Sequence, residues 1–145
     1  MSNKHIRLTW LRDMTFDAEA DGRHLTVDSE HGRGLSPMEL ALVSLAGCSA
    51  MDVVAILKKS RQPFTDLVVH VEGERAVDHP RRYTEVTLVF EVHGQGLNRS
   101  AVERAVALSE EKYCSVSATF REPVTIGTRI ELVDSLAVEQ GTGIV

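Results

Sequence analysis

The run from Leu40 to Leu57 constrains this chain more than any other feature. Its eighteen residues are apolar nearly all round, broken by Ser44, Cys48, Ser49 and Asp52. It opens on Ser36-Pro37-Met38-Glu39, with Ser at the N-cap, Pro at the first helical position and Glu at the third. That is a capping box with the favoured first-turn proline, and it predicts a helix from Pro37 to about Lys59. Such a run sits at the edge of the length needed to cross a bilayer. Asp52 and the small or polar residues interrupt it, and Lys58-Lys59 is the only flanking charge. The expected structure is therefore a central helix packed on all sides, and no membrane partner.

Short alternating segments precede and follow that helix. Ile6, Leu8 and Trp10 alternate with Arg7, Thr9 and Leu11, and Met14, Phe16 and Ala18 with Thr15, Asp17 and Glu19. Leu25 and Val27 make a third run after Asp21-Gly22, a hairpin-turn signal, so residues 6–27 read as a three-stranded meander. Leu67, Val69 and Val71, then Val86, Leu88, Phe90 and Val92, read as a hairpin with a long charged loop at Asp78–Arg82. Ser100-Ala101-Val102-Glu103 repeats the capping box and predicts a helix reaching Lys112. Val124 to Leu132 alternates as a last strand, and the tail from Asp134 is weakly patterned. The order predicts an α+β fold, mostly antiparallel, with helices packed on sheet. At 145 residues the chain fits one domain, 1–145.

Charge and composition narrow the function. Sixteen Lys+Arg against twenty-one Asp+Glu give a net charge of −5, with no basic stripe for nucleic acid or for an anionic membrane surface. Two cysteines exclude a disulfide-stapled scaffold and a four-cysteine zinc site. The six histidines include no i, i+4 helical pair, so no metal site and no cofactor are expected, although His70 and His93 lie on strands that could face each other. Gly32-Arg33-Gly34 lacks the spacing and following Lys of a phosphate loop. The start, Met1 to Arg7, lacks the apolar core of a signal peptide, and the expected location is cytoplasmic.

In a reducing compartment two cysteines are buried and inert or else redox-active. Cys48 lies about three turns inside its helix, beyond the reach of the N-terminal dipole. A stabilised thiolate there needs a cation from elsewhere, with Arg12, Arg23 and Arg33 as candidates. Asp52, one turn on, can share the face of Cys48, where a carboxylate would oppose ionisation.

Three segments carry a resemblance. Ser36-Pro37-Met38-Glu39-Leu40, Leu45-Ala46-Gly47-Cys48-Ser49-Ala50-Met51-Asp52-Val53-Val54 and Ser109-Glu110-Glu111-Lys112-Tyr113-Cys114-Ser115-Val116 resemble the OsmC/Ohr family, most of all its YhfA-like branch. The resemblance implies an intertwined homodimer of α+β subunits with long central helices, and active sites at the subunit interface. It implies reduction of organic hydroperoxides, with a small dithiol as reductant. Cys48 would then be the peroxidatic cysteine and Cys114 the resolving one. The family's arginine maps best to Arg12, with Arg33 as the alternative beside Asp28. The family's catalytic Glu position holds Met38 here, and Glu39 is one residue later and engaged in capping. Met38 implies a greasier pocket. The competing expectation is a non-catalytic protein that binds a small apolar ligand on the same fold.

Overall fold

In the computed structural model, which describes residues 3–29, 32–121, 127, 129, 131 and 132, the meander and the hairpin form two separate sheets. Strands β1 (Arg7–Arg12), β2 (Thr15–Ala20) and β3 (Arg23–Val27) make the first, antiparallel throughout. Asp21 and Gly22 both take positive φ, at 49° and 80°, which is the two-residue turn that matches strand twist. Leu8 pairs with Ala18 and Trp10 with Phe16, while Phe16 pairs with Val27 and Ala18 with Leu25. One face of this sheet is therefore apolar. It is also open: Leu8, Trp10 and Leu25 are all exposed, Trp10 by 63%.

The meander is tied through Asp28 to the loop that precedes the first helix. Thr15 donates its hydroxyl to Asp28 Oδ2 at 2.8 Å, and Arg33 N–H donates to the same oxygen at 2.9 Å. Ser29 N–H donates to Oδ1 at 2.7 Å. A Cβ on Gly32 would fall 2.4 Å from this carboxyl carbon, so the loop can wrap Asp28 only with glycine there. These donors hold the carboxyl below the usual range, the Arg33 amide most of all.

Helix α1 (Pro37–Lys59) starts as expected. Ser36 Oγ accepts from Glu39 N–H at 3.2 Å, and Glu39 Oε1 accepts from Ser36 N–H at 2.8 Å. It buries one stripe, Leu45, Ala46, Ser49, Val53 and Leu57. The hairpin of β4 (Phe64–Arg75) and β5 (Tyr83–Gly94) packs against it, as does α2 (Arg99–Leu108). The centre of the core is Val53, Leu57 and Ala105, flanked by Ile56, Phe64, Leu67 and Phe90. Tyr83 lies over Gly73, where a Cβ would sit 2.6 Å from its ring, and donates to the Met38 carbonyl at 2.5 Å.

Four expectations change. Helix α1 is not packed on all sides within one protomer: Met51 is 75% exposed and Val43 is also open. Helix α2 begins two residues earlier than its Ser100 box, because Asn98 caps it by accepting from Ala101 N–H at 3.2 Å. It ends at Leu108 and passes into a π-helical turn over Ser109–Tyr113. A further helix, α3 (Ser115–Arg121), follows Cys114. The strand expected from Val124 to Leu132 falls largely outside the described residues.

Asp28 gives the fold a pH dependence of fixed sign. Its folded-state pKa is depressed, so its stabilisation is complete above about 3.9, the unfolded value, and fades as pH falls through the lower folded value. Asp28→Asn should lower the urea midpoint at pH 7, and the gap to wild type should narrow as the pH drops below about 3.9. A gap that stays constant with pH would show that the charge is not what matters.

Candidate active site

Cys114 is placed by a change in winding. The π-helical turn closes with Cys114 N–H donating to the Ser109 carbonyl at 2.8 Å. Cys114 then leaves helical geometry at φ −74°, ψ 102°, and α3 begins at Ser115. Cys114 is thus the N-cap of α3: its sulfur accepts from Ser117 N–H at 3.4 Å, and its carbonyl from Ala118 N–H at 3.1 Å. A helix start carries N–H groups with no partner inside the helix. Here the Cys114 sulfur takes one, that of Ser117.

Cys48 approaches from α1, its sulfur 3.8 Å from the Ser115 hydroxyl. The Val116 amide is the largest influence, and it holds the Cys48 thiol below its ordinary range against the opposing effect of partial burial. Cys114 is only 4% exposed, and burial pushes its thiol up, with the neighbouring Cys48 sulfur adding to the rise. Both cysteines are free thiols. Their sulfurs and a carboxylate oxygen of Asp52 all lie within 4.8 Å of one another. One half-buried thiol with a lowered pKa thus stands beside a second, buried one whose pKa is raised.

Asp52 is held by a short polar chain. Ser109 donates its hydroxyl to Asp52 Oδ2 at 2.9 Å, and the Ser109 and Ser49 hydroxyl oxygens are 3.1 Å apart. Ser49 and Ser109 are both buried, at 2% and 0% exposure. The serine of the π-helical turn thus links the carboxylate on α1 to the turn that carries Cys114.

The remaining expected residues lie elsewhere in the protomer. Arg12 ends β1 and is exposed, and it is not among the main groups that shift the Cys48 thiol. Arg33 is exposed in the loop before α1, where its amide serves Asp28. It lines a small polar recess with Asp13, Thr15 and Ser29. Met38 is half-buried and lines an open cleft of about 960 Å³ with Ala41, Leu45, Tyr83, Phe90 and Phe120. That lining does not include Cys48. His70 and His93 both approach Glu91, at 2.9 and 2.6 Å, as an exposed cross-strand pair.

Sequence reasoning missed the backbone amides of α3 altogether. Ser115-Val116-Ser117-Ala118-Thr119 has no helical apolar period, and Cys is outside the favoured N-cap residues.

Residues 30–129 match the family described as OsmC-like protein. The chain is 43% identical over 129 residues to Protein YhfA of Escherichia coli strain K12, covering 88% of this chain and 96% of that one. The crystal structure of a hypothetical protein from Aquifex aeolicus VF5 is similar at a TM-score of 0.77 and 38% identity, covering 83% of this chain and 89% of that one. An organic hydroperoxide resistance protein OsmC from Legionella pneumophila shares the fold at a TM-score of 0.59 and 18% identity, covering 83% of this chain and 90% of that one. The sequence match over most of its length and the shared α+β architecture establish that this chain belongs to the OsmC-like family.

Proposed function

We propose that this protein reduces organic hydroperoxides through the Cys48–Cys114 dithiol. The observation that carries the reading is the pair of free thiols within 4.8 Å, one with its pKa lowered and the other with its pKa raised. Membership of the OsmC-like family supports a peroxide-related redox role. The Cys48 thiolate attacks the peroxide O–O bond, forming a sulfenic acid, and the alkoxide leaves and takes up a proton as the alcohol. The Cys114 thiol then condenses with the sulfenic acid, forming a disulfide and releasing water. A small dithiol reduces the disulfide by exchange, in keeping with a cytoplasmic setting.

The reading includes a homodimer. The apolar face of the meander and the outer face of α1 are both open in one protomer, with Trp10 63% and Met51 75% exposed. Apolar surface on this scale marks an interaction site in a protein that is not itself an isolated monomer. A second copy supplies two faces of matching chemistry. Met38 and its cleft favour a second reading, a binding protein for a small apolar ligand, because the cleft lining does not include Cys48.

Intact mass and free-thiol count after one equivalent of tert-butyl hydroperoxide test the reaction. Wild type should lose both thiols and two hydrogens, Cys48→Ser should show neither change, and Cys114→Ser should stop with one oxygen added. Two unreacted thiols in reduced wild type would defeat the reading and leave the ligand-binding alternative.

Size-exclusion chromatography with light scattering tests the assembly. Wild type should run at twice the chain mass, and Trp10→Glu or Met51→Glu should shift it toward the monomer. Both side chains are exposed in the protomer, so neither change would matter if the protomer were the final form. A monomeric wild type would overturn the homodimer.

A further inference from the structure

We propose that Cys48, Cys114 and Asp52 form a three-ligand site for a thiophilic divalent cation of the Zn²⁺ type. The two sulfurs and the carboxylate oxygen lie within 4.8 Å of one another and come from two different segments, α1 and the turn before α3. Tetrahedral zinc binds sulfur at about 2.3 Å and carboxylate oxygen at about 2.0–2.2 Å, which places two sulfur ligands about 3.8 Å apart. The cluster therefore needs to contract by no more than about 1 Å between the sulfurs, within reach of small side-chain rotations.

Three further observations favour a cation here. Thiolate, thiolate and carboxylate are a ligand set suited to Zn²⁺ rather than to Mg²⁺ or Ca²⁺, which take oxygen. Ser109 donates to Asp52 Oδ2 at 2.9 Å and is itself tied to Ser49, so the carboxylate is oriented by buried neighbours, as ligating carboxylates are. Among the described ion pairs none involves Asp52. A carboxylate beside an ionised sulfur repels it, and a dication between them reverses that repulsion. Cys48 is half-buried, which leaves the fourth coordination position open to solvent.

Binding replaces two thiol protons, which are released as the metal enters. The loaded pair has both sulfur lone pairs committed to metal, so the cation and oxidation compete for the same electrons. Oxidation of the loaded pair by a hydroperoxide would take up two protons and give the disulfide, an alcohol, water and the free cation. The site thus couples metal release to dithiol oxidation. The binding itself needs only reduced thiols and stands whether or not the protein turns over peroxide.

The test is titration of reduced, chelator-treated protein with Co²⁺ under exclusion of oxygen, followed by displacement with Zn²⁺. One equivalent per chain should bind with sulfur-to-cobalt charge-transfer absorption. Cys48→Ser should sharply reduce that absorption, and Asp52→Asn should weaken binding at least about tenfold. Wild type with its thiols alkylated should not bind, which removes the ligands without depending on how a variant folds. Absence of the charge-transfer band, binding that survives alkylation, or an unchanged affinity in Asp52→Asn would each overturn the three-ligand site.

Discussion

The start of α3 is the point on which the site depends. A short helix exposes backbone N–H groups that must find acceptors, and here the Cys114 sulfur takes one of them instead of the usual hydroxyl or carboxylate. Cys48 comes up to the same helix start from α1, with the Ser115 hydroxyl 3.8 Å from its sulfur. The helix start therefore brings the thiols together, and the Val116 amide and the burial of Cys114 make them unequal. No side-chain cation within the protomer is needed for that asymmetry. The π-helical turn is part of the same device: its wider winding sets Ser109 against Asp52 and delivers Cys114 to the end of the turn. Such turns are often found at functional sites.

The rest of the protomer explains why α1 is so apolar. One stripe of the helix meets the β4–β5 hairpin and α2 around Val53, Leu57 and Ala105. Val43 and Met51, off that stripe, are 49% and 75% exposed. The meander repeats this arrangement, with an apolar face formed by Leu8, Trp10 and Leu25 that its own protomer leaves open. A single copy thus leaves two apolar surfaces exposed.

Much of this was legible in the residues. The Ser36–Glu39 box fixed the start of α1, and the Asp21-Gly22 pair fixed the β2–β3 turn, because each rests on local backbone chemistry. Alternation identified the five described strands and their pairing within sheets. What stayed hidden came from long-range placement. Nothing in the spacing of Cys48 and Cys114 says that they meet; the family resemblance suggested it, and the 4.8 Å limit shows it. A charged side chain is the expected source of a lowered thiol pKa, whereas the largest influence on Cys48 is the Val116 amide, a group that any residue carries. Asn98 took the capping position from Ser100, since an earlier cap extends the helix and still satisfies its first turn.

The most direct measurement is the order in which the two cysteines react. Reduced, chelator-treated protein would be given a small fraction of an equivalent of iodoacetamide at neutral pH, then digested and mapped by mass, with the denatured chain as control. The lowered Cys48 thiol pKa and the burial of Cys114 predict that the folded protein carries nearly all the label on Cys48, and that denaturation evens the two. Equal labelling in the folded protein, or label first on Cys114, would contradict the asymmetry from which the site's chemistry follows.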